Sequence, residues 1–179
     1  MNITKARFAV VVTGVWLLLV APWAAAQAGQ ELGMLQVSVQ VDGLSCPFCA
    51  YGLEKKLKKV DNVATLEIRV SEGRAVITPA AGTSVDLAEV ERAVREGGFT
   101  PRALVVTARG RVTELHGAPA LELADGAMLL LAEGGETKAL LQSAKGSVVR
   151  VEGRASREQP QGHAGHPYTL TVSSFQTVS

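Results

Sequence analysis

The sequence predicts an α+β protein in which a β-α-β-β-α-β domain is followed by a small all-β domain. Strand-like and helix-like apolar patterns alternate up to residue 106, and from residue 107 onward helical periodicity nearly vanishes while short strand patterns dominate. The first residues have instead the layout of a targeting segment. We therefore expect a signal peptide at 1–28, a first domain at 33–106 and a β-rich second domain at 107–179.

The first domain is predicted from its apolar spacing. Leu53, Leu57 and Val60 form one helical stripe, and Gly97-Gly98 is a helix-ending signal after a second helix. The order is that of a ferredoxin-like sandwich, in which two helices cover one face of a four-stranded antiparallel sheet and leave the other partly open. The predicted strands are 35–41, 63–70, 74–79 and 99–106, and the predicted helices are 47–60 and 85–96.

The second domain reads as five strands with one short helix between the third and the fourth. Asp125-Gly126 is a strong hairpin signal between two of these strands. This element order predicts a small OB-like barrel. The predicted strands are 109–115, 120–123, 127–131, 148–153 and 168–175, and the helix is 136–143. Strand 99–106 runs nearly straight into strand 109–115, so we expect a close junction.

The N-terminal segment predicts export. Lys5 and Arg7 precede an almost wholly apolar stretch, Phe8 to Val20, and small residues around Ala26 offer a cleavage site. The mature protein would then be periplasmic or secreted, with the signal sequence as its only membrane contact. The alternative is an uncleaved membrane anchor, because residues 8–26 are nearly long enough to span a bilayer.

Charge and aromatic content argue against a nucleic-acid partner. The chain has 18 basic and 17 acidic residues, and loss of Lys5 and Arg7 would leave a net charge of 16 − 17 = −1. No charge excess is present to attract a polyanion. Both tryptophans, Trp16 and Trp23, lie in the targeting segment, which leaves none for a base-stacking platform.

Cys46 and Cys49 are the only cysteines, and they lie between a predicted strand and a predicted helix. Pro47 suits the first turn of a helix, and a helix start favours the thiolate form of cysteine. A disulfide across so short a loop stabilises little, so a working site is more plausible than a structural bridge. Two thiolates suit the soft cations Cu(I), our first choice, and Hg(II), whereas Zn(II) normally takes four ligands.

The stretch Val41-Asp42-Gly43-Leu44-Ser45-Cys46-Pro47-Phe48-Cys49, with its lysine-rich helix, β-β hairpin, second helix and Gly97-Gly98-Phe99, resembles the heavy-metal-associated domain. The resemblance covers about residues 34–105. The family includes copper chaperones, metal-binding modules of copper-pumping ATPases and the periplasmic mercuric-ion binding protein. It implies the ferredoxin-like fold, metal binding by Cys46 and Cys49, and transfer to a metal-transporting membrane protein or another Cys-x-x-Cys protein.

Two positions depart from the family pattern. Leu44 stands where methionine is common, at a position similar to a buried packing residue rather than a ligand. Phe99 stands where the soluble copper chaperones often have lysine, and so resembles the ATPase modules and the mercury protein. Phe99 is expected either in the core or as a cover for the metal.

Two other functions stay open for the cysteine pair. Cys-Pro-x-Cys also occurs at helix starts in thiol-disulfide oxidoreductases, although the β-β hairpin after the first helix does not match their fold. The pair in a purely structural or interaction module would simply stay oxidised. We predict no enzymatic activity, because no catalytic arrangement stands out.

The remaining polar residues have weaker functional signals. His163 and His166 form a His-x-x-His pair in a polar loop, which is expected to be a solvated surface but has the donors for weak metal binding. His116 is expected to be structural or exposed beside a turn. The basic run 55–59 reads as a solvated helix face or a docking patch for an acidic partner. The acidic residues of the second helix are expected on its solvent side: Asp86, Glu89 and Glu91.

Overall fold

The protein is represented by a computed structural model that describes residues 32–157 and 168–178. The predicted signal peptide lies outside the described residues, and so does the loop with His163 and His166. None of the described helices has the length and apolar character needed to cross a lipid bilayer.

The N-terminal half has the predicted β-α-β-β-α-β order, and its ferredoxin-like fold is confirmed. Its strands lie in the order β2-β3-β1-β4, and every neighbouring pair is antiparallel. A short 3₁₀ turn, Val70–Glu72, joins β2 to β3. The elements are β1 (Gly33–Asp42), α1 (Pro47–Leu57), β2 (Val63–Arg69), β3 (Arg74–Pro79), α2 (Leu87–Glu96) and β4 (Thr100–Leu115).

The core of this half lies between one face of the sheet and the two helices. Alternate residues of β1 are buried there, Val37, Val39 and Val41, in one cluster with Leu53 of α1 and Val90 of α2. The opposite face of β1 carries polar side chains, as expected for a sheet with one open face. Those residues are Gln36, Ser38 and Gln40.

Helix α1 ends at Leu57, three residues earlier than predicted. The predicted helix extended to Val60 because this apolar residue continues the stripe of Leu53 and Leu57. In the structure Val60 is buried, at 6% exposure, in the turn that follows the helix. Asn62 then adopts a left-handed backbone with φ of 64°, which redirects the chain into β2. The apolar periodicity thus predicted the burial of Val60 correctly and the end of α1 incorrectly.

The two predicted strands 99–106 and 109–115 are one continuous strand, β4, so their separation was wrong. One edge of β4 pairs with β1 from Thr100 to Arg109, and the other pairs with β7 (Val148–Ser156) from Leu104 to Arg111. Because a strand has only two edges, β5 (Ala118–Glu122) takes over the edge that β1 leaves. Gly110 marks this exchange, since a Cβ there would lie 2.5 Å from the Glu122 carbonyl oxygen.

The C-terminal half closes a five-stranded barrel around β4. The strands follow the circle β4-β5-β6-β8-β7 and return to β4, with β6 and β8 parallel and the other pairs antiparallel. The helix lies between the third and fourth barrel strands, which is the predicted element order. The OB-like assignment itself, like the boundary between the domains, stays a prediction. The elements are β5 (Ala118–Glu122), β6 (Met128–Leu131), α3 (Thr137–Ser143), β7 (Val148–Ser156) and β8 (Thr169–Thr177).

A buried carboxylate ties α2 to the barrel. Glu91 is only 7% exposed, and its Oε2 accepts hydrogen bonds from Arg95 Nη2 at 2.7 Å and from Arg157 Nη2 at 2.8 Å. Arg157 follows β7, and its guanidinium lies 5.3 Å from the centre of the Tyr168 ring. Tyr168 precedes β8 and donates a hydrogen bond to the Leu87 carbonyl oxygen at 3.4 Å. Arg157, after β7, and Tyr168, before β8, therefore both contact α2.

The position of Glu91 contradicts its predicted place on the solvent side of α2. Burial acts to raise the pKa of this carboxyl, but the hydrogen bonds from Arg95 and Arg157 outweigh it and hold the pKa below its ordinary value. Burial, together with the negative charge of Glu91, raises the pKa of Tyr168 to about 12. Glu91 follows Leu87 by four positions and so lies beside the buried residues of α2, and Arg157, which pairs with it, comes from the other half of the chain.

Replacement of this carboxylate tests the contact between the halves. Glu91→Gln should lower the free energy of unfolding at pH 7 by about 1–2 kcal/mol, because three charge-assisted hydrogen bonds, one from Arg95 and two from Arg157, lose their acceptor charge. Since the folded protein lowers the pKa of Glu91, the wild type has this stabilisation above the ordinary glutamate pKa and loses it as pH falls through the folded value. Urea unfolding at pH 7 and pH 3.5 measures both effects.

Glu89→Gln is the matched control, because the ion pair of Glu89 among the described residues is with Arg92 on the same helix, at 2.7 Å. Its cost should be about 0.5 kcal/mol or less. Equal losses in the two variants, or an unchanged wild-type advantage over Glu91→Gln at pH 3.5, would contradict a buried paired carboxylate.

Candidate metal centre

The loop that leads to the cysteines is held against the core by a buried side chain. Gly43, directly after β1, has φ of 87°, a left-handed conformation that glycine adopts without steric cost. This reversal turns Leu44 into the core at 6% exposure, while Ser45 N–H bonds to the Gly43 carbonyl oxygen at 3.0 Å. The prediction that Leu44 is a buried packing residue is confirmed.

Cys46 is the N-cap residue of α1. Its backbone is extended, its carbonyl accepts from Ala50 N–H at 3.1 Å, and its Sγ accepts from Cys49 N–H at 3.1 Å. Pro47 occupies the first helical turn, as predicted. The sulfur of Cys46 thereby sits at the positive end of the helix, where unpaired amides and the helix dipole stabilise negative charge.

The two cysteines converge as the spacing suggested. Their Cα atoms are 5.3 Å apart and their sulfurs form a disulfide in this structure. Both residues are partly exposed. Reduction by two electrons and two protons gives the thiols, and loss of the protons gives the thiolates that a metal needs. The same pair of atoms can therefore hold a soft cation or store a disulfide, but not both at once.

No further metal ligand comes close among the residues that the structure describes, where no group of three or more His, Cys, Asp or Glu side chains is placed to hold an ion. His116 is exposed in the turn between β4 and β5, as expected. A donor set of two sulfurs fits cations that accept two-coordinate thiolate ligation and does not meet the usual four-ligand demand of zinc.

Exposed aromatic side chains flank the disulfide. Phe48 is 91% exposed and Tyr51 is 59% exposed, the largest exposures among the large apolar side chains described. Lys55 Nζ lies 4.6 Å from the centre of the Tyr51 ring, a cation–π contact. The sequence analysis did not single out these residues. The sequence feature that could have indicated them is their position outside the buried stripe of α1. Apolar side chains at such positions on the first turns of α1 lie in solvent, close to the cysteines.

Phe99 lies beneath the cysteine loop. It is half-buried against the core, and a Cβ on Gly43 would lie 3.7 Å from its Cδ1 atom. Of its two expected roles, the structure supports packing under the loop.

The basic run of α1 is largely solvated. Lys55, Lys58 and Lys59 are exposed, and Lys58 pairs with Glu54 on the same helix at 2.5 Å. Lys56 reaches Glu96 of α2 at 3.4 Å. These ion pairs fit the solvated-face interpretation.

The model of the heavy-metal-associated domain matches residues 38–100, the stretch that contains the cysteine loop, both long helices and the hairpin β2–β3. Residues 38–100 are a heavy-metal-associated domain. The resemblance inferred from the sequence is thereby confirmed, and it ends where the barrel begins.

Known proteins are similar to part of this chain. Copper-transporting ATPase 2 of Rhizobium meliloti (strain 1021) is 32% identical over 76 residues, which is 42% of this chain and 9% of that ATPase. The solved CopZ metallochaperone is 20% identical, with a TM-score of 0.34, over 37% of this chain and 98% of its own. The N-terminal domain of PacS from Synechocystis PCC6803 is 22% identical, with a TM-score of 0.33, over 37% of this chain and 92% of its own.

The packing role of Leu44 in the heavy-metal-associated domain is testable. Leu44→Met conserves volume and should change the free energy of unfolding by less than about 1.5 kcal/mol. Leu44→Ala leaves a cavity under the loop and should cost about 2–4 kcal/mol. Chemical denaturation of both variants in the disulfide form measures this. A Leu44→Ala variant as stable as Leu44→Met would show that the loop is not anchored by this side chain.

Proposed function

We propose that the protein captures Cu(I) between the thiolates of reduced Cys46 and Cys49 and hands it to a partner. The observation that carries this proposal is the convergence of two partly exposed sulfurs at the N-cap of α1 within a heavy-metal-associated domain. The relative from Rhizobium meliloti, a copper-transporting ATPase by name, supports copper as the cargo.

Capture and release of Cu(I) do not change the oxidation state of the metal. Binding removes one proton from each thiol and forms two sulfur–copper bonds. Transfer begins when a thiolate of the partner adds to the copper, and one bond to Cys46 or Cys49 breaks as the new bond forms. A second such exchange releases the ion. The disulfide form must first gain two electrons and two protons from an external dithiol, which itself becomes a disulfide.

The setting of this exchange is part of the same proposal. The predicted signal peptide would place the protein in the periplasm or outside the cell. The receiving partner would be a metal-transporting membrane protein or another Cys-x-x-Cys protein. The barrel, which we propose is OB-like, would position the metal domain through β4 and has no role in catalysis. Hg(II) also accepts two thiolates and is the second candidate cargo, and Zn(II) fits less well.

Removal of one sulfur tests the proposed site. Reduced wild-type protein should bind one equivalent of Cu(I) in competition with a chromophoric chelator. Cys46→Ser and Cys49→Ser should each weaken this binding at least about 100-fold, because a serine hydroxyl is a poor ligand for a soft cation. Parallel titrations with Hg(II) and Zn(II) rank the three cations by their affinity for the reduced protein.

His163→Ala/His166→Ala is the control, and it should leave the affinity of the reduced protein unchanged. The proposal is overturned if reduced wild-type protein fails to compete for Cu(I), or if either serine variant binds as tightly as the wild type. An intact disulfide in the starting material is excluded by thiol counting before each titration.

A thiol-disulfide redox function is the second candidate, because the sulfurs are bonded in this structure and Cys46 lies at a helix N-terminus. A reduction potential between about −120 and −270 mV, the span of known oxidoreductases, together with no Cu(I) affinity in the reduced form, would favour it. A lower potential together with tight Cu(I) binding would favour the metal carrier.

A further inference from the structure

The open face of the sheet, which the helices do not cover, carries a cleft with a volume of about 530 Å³. Side chains from β2, β3, β1, β4 and β7 line it, so both halves of the molecule contribute to its walls. The metal centre lies at the start of α1, which packs against the other face of the sheet. The proposed capture of Cu(I) therefore gives this cleft no role.

Strand pairing places two arginines from different halves of the molecule on this face. Arg74 of β3 lies opposite Gln40 of β1. Two residues before Gln40 on the same strand, Ser38 lies opposite Val105 of β4. Val105 in turn lies opposite Arg154 of β7. Because paired residues of neighbouring strands, and residues two apart on one strand, point to the same face, both arginine side chains line one cleft.

Short side chains form the floor between these two arginines. Ser38 and Ala103 line the cleft from the two central strands, β1 and β4. Arg74 and Arg154 lie on the flanking strands, β3 and β7. At a spacing of about 4.8 Å between neighbouring strands, β3 and β7 are about 14 Å apart. The cleft is thus a trough wide enough for a small molecule, with one arginine on each wall.

The charged side chains of the cleft favour an anion. Three arginines and one glutamate, Glu152, line it, which gives a net charge of 3 − 1 = +2. Arg69 is held by Glu67, to which it donates from Nε at 2.9 Å and from Nη2 at 3.1 Å. Arg74 has one ion pair among the described residues, a long contact of 3.8 Å with Glu72, and Glu72 lies equally far from Arg69. The single charge of Glu72 is therefore shared, and Arg74 keeps donors for a ligand.

Arg154 and Thr107 add donors from the other wall. Arg154 is exposed and has no carboxylate partner in the part of the chain that the structure describes. Thr107 is buried at 8% exposure, and its hydroxyl has no hydrogen-bond partner among residues 32–157 and 168–178. A buried polar group in this state needs its partner from water or from a ligand. Glu152 lies opposite Thr107, at the end of the cleft away from Arg74, so its charge keeps an anion near the arginines.

We propose that this cleft binds a small polyanion, a molecule with at least two phosphate or carboxylate groups, between the guanidinium groups of Arg74 and Arg154. The planar fork of a guanidinium matches the paired oxygens of a phosphate or a carboxylate. The volume of the cleft is within the range of small-molecule sites, about 300–1,000 Å³. Neither half has this site alone, because Arg74 belongs to the heavy-metal-associated domain and Arg154 to the barrel.

The experiment uses the full chain in its disulfide form, without metal, and two probes: inorganic pyrophosphate for phosphate groups and citrate for carboxylates. Isothermal titration calorimetry at low ionic strength should show one equivalent of at least one probe bound. Orthophosphate should bind at least about 10-fold more weakly, because a single group reaches one guanidinium only. In ¹⁵N spectra the Nε–H resonances of Arg74 and Arg154 should shift together as the probe saturates the site.

Four variants make the result specific. Arg74→Gln and Arg154→Gln should each lower the affinity for the probe at least about 10-fold, because each removes one charged fork. Thr107→Val conserves shape and should lower it about 2- to 10-fold through loss of one hydroxyl donor. Arg92→Gln is the matched control and should leave binding unchanged, because Arg92 lies on α2 and pairs with Glu89 there at 2.7 Å. Unfolding midpoints show whether each variant keeps the fold.

The proposal is overturned if neither probe binds, or if Arg74→Gln and Arg154→Gln bind the probe as the wild type does. An equal loss of affinity in Arg92→Gln would also overturn it, since binding would then follow the overall charge and not the cleft. Shifts in the wild-type spectra do not depend on any substitution. Because the cysteines are bonded throughout and no metal is present, these outcomes are independent of Cu(I) capture by the reduced protein.

Discussion

The sixteen-residue strand β4 is the constraint on which the rest of the structure depends. Its first part completes the four-stranded sheet of the heavy-metal-associated domain, and its second part opens the barrel. A single strand in two sheets cannot bend freely between them, because its backbone bonds to β1 and then β5 along one edge and to β7 along the other. The barrel is consequently coupled to the metal domain by backbone hydrogen bonds as well as by the contact of Glu91 with Arg157.

At the cysteine end, local backbone chemistry prepares the site before any metal arrives. Glycine at position 43 permits the reversal, Leu44 anchors it in the core, and the N-cap position of Cys46 aims a sulfur at free helix amides. Cys46 and Cys49 remain partly exposed in this loop, beside the exposed rings of Phe48 and Tyr51.

At the opposite end of β1, hydrogen bonds hold the junction between the two halves. Met34 N–H donates to the Thr83 carbonyl oxygen at 3.0 Å, and the next residue, Ser84, donates from Oγ to Asp125 Oδ2 at 2.5 Å. One pair of adjacent residues therefore bonds both to the start of β1 and to the turn between β5 and β6.

The sequence by itself determined what depends on neighbouring residues: the types and order of the helices and strands, the ferredoxin-like half, the strand content of the barrel, and the cysteine loop. These follow from periodicity, glycine turns and capping, which act within a few positions. Tertiary structure alone decided that Thr100–Leu115 forms one strand, because the pairing partners β1, β5 and β7 are distant in sequence. It also decided that Glu91 pairs with Arg157, because this arginine comes from the other half of the chain. Local patterns have no information about contacts formed across a fold.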